Sequence, residues 1–284
     1  MLKRIITAVL LLVVVLGALL GLRQIHTAFV DALGILVLLI GAYEMFHAFK
    51  KAEYNPLPLP IILMCLAIYP AIFILQEFGI LIVFILAALL SIVIFTFQHK
   101  YTLKDLIATI FIMFYPILLF APFFIINGSA IGLLAIMLTL FVPILTDTMA
   151  YFVGVTCKGK KLCPNISPKK TISGAIGGLV GGVMGSMLVF VLFDVADVFA
   201  SFGNVGITHL TSDIGISATI YVVVGLVGAV VCELGDLGAS WIKRQAQIKD
   251  FGKIFPGHGG IMDRLDSILF MLPIVYIMTK FIVM

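Results

Sequence analysis

Nine apolar runs of about 20 residues follow one another along the chain, and a run of that length suffices to cross a hydrocarbon core roughly 30 Å thick. They extend approximately over Ile5 to Leu22, Ala28 to Phe49, Leu59 to Leu75, Gly79 to Phe97, Leu106 to Ile126, Ile131 to Val153, Ser173 to Leu192, Ala218 to Ile242 and Leu265 to Ile282. In lipid each backbone N–H and C=O must be satisfied within the chain, so runs of this length fold as helices. The expected fold is therefore all-α, a polytopic transmembrane helical bundle of about nine spans, with the fifth irregular near Pro116 and Pro122. Apolar residues make up 62% of the 284, well above the 45–50% of soluble domains. Mean hydropathy is +1.24.

Lys and Arg fix the orientation, because cytoplasmic loops carry an excess of both. With the amino terminus inside and the carboxyl terminus outside, 16 of the 18 basic residues are cytoplasmic, leaving Arg23 and Lys280 outside. The first run follows Lys3 and Arg4 as a signal peptide would, but no A-x-A site follows, and it is expected to stay as a span. Cys65, Cys157, Cys163 and Cys232 show neither a disulfide framework nor a zinc spacing. A net charge of +4 without a basic face on a soluble domain gives no reason to expect nucleic acid as a partner. Up to about residue 130 the polar residues are scattered, among them Asp31, Glu44, His47 and Glu77. Residues 1–130 therefore read as a transmembrane scaffold half and 131–284 as the catalytic half, with its site on the cytoplasmic side.

Charge concentrates in that second half. Glu233 and Asp236 lie inside the eighth run, where a charged residue costs about 2.5–3.5 kcal/mol at mid-bilayer on insertion scales. Helical spacing puts Glu233, Asp236, Ser240 and Lys243 on one face, so the stripe cannot face lipid. Two deep acids with bases only at the stripe's end call for a cation, and an oxygen-only donor set favours Mg²⁺. The island Ser240–Ser267 adds Lys243, Arg244, Lys249, His258, Asp263, Arg264 and Asp266 around Gly257, Gly259 and Gly260. Asp263 and Asp266 suit the positive end of a helix, and one of them needs no further role. The glycines let backbone N–H groups approach an anion. Upstream, Asp147 lies near the cytoplasmic end of the sixth run, and Lys169 and Lys170 sit in SPKKT ahead of a run with glycines at 174, 177, 178, 181, 182 and 185. Those glycines read as helix packing. Acids, an array of bases and a glycine turn together describe a polyphosphate site, and the membrane setting makes one substrate a lipid. No G-x-x-x-x-G-K-[ST] pattern occurs, against an ordinary P-loop ATPase.

The run Ser240, Ile242, Lys243, Arg244, Lys249, Asp250, Gly252, Phe255, Pro256, His258, Gly259, Gly260, Ile261, Asp263, Arg264, Leu265 and Asp266 resembles the signature of the phosphatidate cytidylyltransferases, the CDP-diacylglycerol synthases. Glu233–Leu237, Asp147–Tyr151 and Ser167–Thr171 match further stretches of that family. Ala239 stands where members often carry Glu, and Phe251 where a small polar residue is usual; neither is a presumed metal ligand. The resemblance covers roughly the second half of the chain.

It implies conversion of CTP and phosphatidic acid to CDP-diacylglycerol and pyrophosphate in phospholipid biosynthesis. Mg²⁺ would be held by Asp236 and Asp263, with Glu233 and Asp266 as further candidates and K⁺ as a second ion. The lipid phosphate, with a second pKa of about 6, is largely dianionic and attacks the α-phosphorus without a strong base. Lys243, Arg244, Lys249 and Arg264 would offset charge on the leaving pyrophosphate. Lys169, Lys170, Ser240, His258, Gly259, Gly260 and Asp147 would contact substrate. The expected location is the bacterial cytoplasmic membrane, with the lipid bilayer as a partner and a homodimer left open. The alternatives are a CTP-dependent polyprenol- or phytol-type lipid kinase and a cation-coupled transporter. The long motif disfavours the first; polar residues gathered at one end of one half disfavour the second.

Overall fold

The structure is a computed structural model that describes residues 15–199, 209–254 and 259–283. It is helical apart from one short hairpin, in the order α1 (Val15–Ile25), α2 (Thr27–Lys51), α3 (Pro58–Leu75), α4 (Glu77–Phe97), α5 (Leu103–Ile112), α6 (Pro122–Gly128), α7 (Gly132–Thr156), β1 (Lys161–Cys163), β2 (Ser167–Thr171), α8 (Ile172–Phe190), α9 (Ile214–Gln245) and α10 (Met262–Val283). Among the described residues seven helical segments are long and apolar enough to cross a membrane. One of them joins α5 to α6 over Leu103–Gly128. That segment is irregular where expected: Met113–Leu118 is a π-helical turn around Pro116, and α6 starts at Pro122. Proline has no N–H to donate and its ring clashes with the preceding turn, so the helix widens locally.

Local chemistry sets the helix ends. Thr102 and Asp105 form a capping box at α5, with the Thr102 N–H donating to Asp105 Oδ2 at 2.8 Å. Asp213 caps α9 by accepting from Gly215 N–H (2.7 Å) and Ile216 N–H (3.1 Å), while Lys243 and Arg244 occupy the last turn, where the helix dipole favours cations. At 32 residues α9 is ~48 Å long, so it overshoots the hydrocarbon core and one end projects into water.

Helices α7 to α10 form the packed centre, and α8 lies closest to its neighbours. A methyl group added at Gly185 would lie 2.6 Å from the Phe141 carbonyl oxygen of α7, and one at Gly182 would lie 2.6 Å from Ala229 Cβ of α9. The glycines of α8 thus pack helix on helix, as their spacing predicts. α3 and α4 pack on each other and on α2 and α5, and turn large side chains such as Phe73, Ile74, Phe78 and Leu81 outward.

Arg23 is buried. Its guanidinium donates to Asn127 Oδ1 at 2.6 Å, and the Asn127 amide donates to Asp31 Oδ1 at 2.8 Å and to the Thr27 carbonyl at 3.0 Å. This network ties α1, α2 and α6 together. On the same protein Asp194 accepts from the Tyr221 hydroxyl at 2.7 Å, linking the end of α8 to α9.

Candidate active site

The projecting stripe of α9 organises the site. Glu233, Asp236, Ser240 and Lys243 are half-buried on one face, whereas Val230, Leu234 and Trp241 point outward. Lys170 reaches Asp236, with Nζ 2.6 Å from Oδ2, and the Ser240 hydroxyl lies 3.5 Å from Oδ1. The hairpin brings Lys170 there. β1 and β2 pair antiparallel, Lys161 opposite Thr171 and Cys163 opposite Ser167, so the SPKKT segment is a strand and not the simple loop its polarity suggests. Thr171 ends the strand and caps α8, accepting from Gly174 N–H at 3.1 Å. The Arg244 Nε–H donates to the Ile166 carbonyl at 3.3 Å and fastens the turn to α9.

A cavity of about 610 Å³ opens between α7, the hairpin, the start of α8 and α9. Asp147, Glu233 and Asp236 line it together with Lys158, Lys161, Lys169 and Lys170. Of the expected site residues it therefore gathers Asp147, Lys169, Lys170, Glu233 and Asp236. Lys158 and Lys161 are additions, overlooked because each reads equally well as a positive-inside anchor.

Asp263 heads a second group. Its Oδ1 meets Lys243 Nζ at 2.9 Å, and its Oδ2 accepts from Phe251 N–H at 2.8 Å and Gly260 N–H at 2.9 Å. Lys243 also lies 5.3 Å from the centre of the Phe251 ring, a cation–π contact. Gly259 has φ +83, the left-handed region that glycine enters without strain, and a side chain there would strike Asp263. Gly260 sits against the Glu44 carboxylate of α2. Lys249 lies apart with Lys51 and Lys253 around a second cavity of about 500 Å³. Arg264 is exposed. His258 lies outside the described residues.

Asp266 connects the groups. It is buried, accepts from Ser267 N–H at 2.8 Å, and feels the charges of Asp236, Asp147 and Lys243. Several buried polar atoms have no hydrogen-bond partner among the described residues, among them Tyr115 Oη and Ser267 Oγ, and Thr146 Oγ1 and Glu233 Oε1 against the glycines of α8. Such atoms cost about 1–3 kcal/mol each unless something satisfies them. Tyr115 enters from the π-helical turn of the amino half, a contribution with no sequence signal beyond the proline one residue on.

Among the described residues no three Asp, Glu, His or Cys side chains converge as a protein-only metal cage would require. Mg²⁺ does not need one, because it is held by one or two carboxylates and keeps waters and substrate phosphates as its other ligands. The oxygen-only donors that Asp147, Glu233 and Asp236 bring to the cavity, with Glu233 Oε1 unpartnered against Gly178, fit that mode of binding.

The sequence profile of the cytidylyltransferase family matches residues 2–282. Proteins named phosphatidate cytidylyltransferase are similar over about half of this chain: one from Brucella abortus biovar 1 (strain 9-941) is 36% identical over 132 residues, 46% of this chain and 42% of its own length. One from Bacillus subtilis (strain 168) is 36% identical over 131 residues, again 46% and 42%. One from Rickettsia prowazekii (strain Madrid E) is 37% identical over 144 residues, 50% of this chain and 57% of its own. The chain thus spans about half the length of the curated relatives it matches. With a profile match that runs almost from end to end, this chain belongs to the cytidylyltransferase family.

Proposed function

We propose that this protein is a phosphatidate cytidylyltransferase, joining CTP and phosphatidic acid to give CDP-diacylglycerol and pyrophosphate. The observation that carries the reading is the cavity beside α9, lined by three carboxylates and four lysines within about 610 Å³. That volume lies in the range of small-molecule sites, about 300–1,000 Å³. Its charge pattern suits a polyphosphate, and the activity for which the relatives are named supplies the lipid.

In this reading a phosphatidate oxygen attacks the α-phosphorus of CTP. A new P–O bond forms there as the bond from the α-phosphorus to the bridging oxygen breaks, and the electron pair leaves with pyrophosphate. The lipid phosphate is already largely dianionic at neutral pH, so no side chain has to take a proton from it. Lys169 and Lys170 on the hairpin, with Lys158 and Lys161 behind them, hold the phosphates and offset the charge that develops on the leaving group. Lys243 and Arg244 add to that field from the end of α9 and Arg264 from the start of α10, whereas Lys249, expected to join them, stands at the second cavity. Asp236 would hold Mg²⁺, with Glu233 and Asp147 lining the same cavity, and the ion would supply charge neutralisation on the nucleotide phosphates; Asp263, the other expected ligand, would have to give up Lys243 to join them. K⁺ is the second ion in the same reading. Lys170 is paired with Asp236 in the structure and would exchange that partner for a substrate phosphate.

The membrane arrangement belongs to the same proposal: nine spans, amino terminus inside, and the cavity opening to the cytoplasm of a bacterial cell, where CTP is available. The distribution of Lys and Arg supports it. Purified protein in detergent, supplied with CTP, phosphatidic acid and Mg²⁺, is expected to release pyrophosphate. No release under these conditions, with an alcohol lipid yielding CDP instead, would favour a lipid kinase and overturn the reading.

A further inference from the structure

Glu44 belongs to the amino half, on a helix whose sequence gives it no chemical role, yet it is buried to 4% exposure against the start of α10, whose first turn carries Asp263. Its Oε1 accepts from Ile261 N–H at 3.1 Å and its Oε2 from Met262 N–H at 2.8 Å. These are amides at the start of α10, which have no partner inside the helix and favour a negative charge. The preceding amide, Gly260 N–H, goes to Asp263. Three consecutive N–H groups are thus shared between two carboxylates from opposite halves of the chain.

The fit is close on every side. A methyl group at Gly252 or at Gly260 would overlap the Glu44 carboxylate, and one at Gly252 would also lie 3.0 Å from Gly260 Cα. One helical turn earlier on α2, Gly41 leaves room for Leu265 and Met262 of α10. The two glycines of the loop are therefore required by Glu44, and a buried carboxylate holding two amides is stable only while the loop keeps its path.

We propose that Glu44 is a positioning residue for Asp263: by pinning the Gly260–Met262 backbone and packing on Gly252, it sets the carboxylate that meets Lys243 and the Phe251 and Gly260 amides. The inference rests on the cytidylyltransferase reading for its effect on turnover, but its geometric content stands apart from it. Glu44 touches no substrate in this account and acts through the loop.

Amide hydrogen exchange of the full-length protein in detergent, comparing wild type with Glu44→Gln and Gly252→Ala, separates positioning from simple helix capping. Glu44→Gln keeps the shape but offers one acceptor oxygen to two donors; Gly252→Ala displaces the carboxylate without changing its charge. If Glu44 positions Asp263, the amides of Phe251 and Gly260, which bond Asp263 and not Glu44, lose protection together with Ile261 and Met262, by roughly tenfold or more. Pyrophosphate release should then fall at least about tenfold in kcat with KM for CTP within about threefold, as a displaced catalytic group would give. Loss of protection at Ile261 and Met262 alone, with kcat unchanged, would make Glu44 a cap and overturn the proposal. If Glu44→Gln does not fold, Gly252→Ala decides by the same criteria. If the wild type itself releases no pyrophosphate, the cytidylyltransferase reading fails while the exchange pattern still tests Glu44.

Discussion

Two glycine-to-alanine substitutions on adjacent helices should move stability in opposite directions. Gly185 of α8 is buried against α7, where a Cβ would meet only backbone: 2.6 Å from the Phe141 oxygen and 2.9 Å from Phe141 C and Val142 Cα. Restoring a normal contact of about 3.5 Å requires α7 and α8 to part by roughly 0.8–0.9 Å. No flexible side chain can absorb that shift. Overpacking of this kind costs about 1–3 kcal/mol, and the intrinsic helix gain of Ala over Gly returns only about 0.5–1 kcal/mol. A net loss of about 1–2 kcal/mol lowers the melting temperature of a chain this size by roughly 2–4 °C. At Gly238 of α9 a Cβ meets nothing within 4 Å, so Gly238→Ala keeps the helix gain and should raise melting by roughly 1–3 °C. Thermal unfolding of both variants in the same detergent provides the comparison. Because α7 also carries Asp147 into the cavity, Gly185→Ala should in addition slow turnover, and a displacement near 1 Å can cost about 100-fold. Equal melting shifts in the two variants, or a rise for Gly185→Ala, would refute the packing argument.

Asn127→Ala removes the bridge between Arg23 and Asp31 and should cost about 2–4 kcal/mol, seen as a lower melting temperature with KM for CTP unchanged in the folded fraction. Lys170→Met takes a charge-assisted partner from the cavity, and KM for CTP should rise roughly 10–100-fold while thermal unfolding changes little. Glu233→Gln removes the charge from a carboxylate with one buried, unpartnered oxygen, so the substrate-free protein should melt no lower than wild type while turnover falls at least about tenfold. A lower melting point with full turnover would show that Glu233 is structural.

The spans were legible because apolar runs of bilayer length leave the backbone one solution, and the island Ser240–Ser267 was legible because charge in an apolar chain is expensive. The stripe of α9 followed from helical spacing and has the face that spacing gives. The α8 glycines likewise lie at helix contacts. Other parts depended on contacts that no local pattern carries. Glu44 meets Ile261 and Met262 across 217 and 218 residues, and its only signal was an acid inside an apolar run. Tyr115 faces the acids because Pro116 widens its helix, and aromatic content alone predicts ordinary packing for it. The hairpin was hidden because SPKKT, with its proline and two lysines, has little strand propensity; pairing with Lys161–Cys163 supplies what the segment lacks. Grouping Asp236 with Asp263 was a matter of motif, whereas the structure surrounds Asp236 with Lys170 and Ser240, and Asp263 with Lys243 and two backbone amides.

Position-labelled CTP tests the central claim most directly. Purified protein incubated with phosphatidic acid and Mg²⁺ should transfer label from the α-phosphate of CTP into lipid, release the β- and γ-phosphates together as pyrophosphate in equal amount, and lose both activities in Asp236→Asn. Label from the γ-phosphate appearing in lipid, with CDP as the other product, would contradict the account.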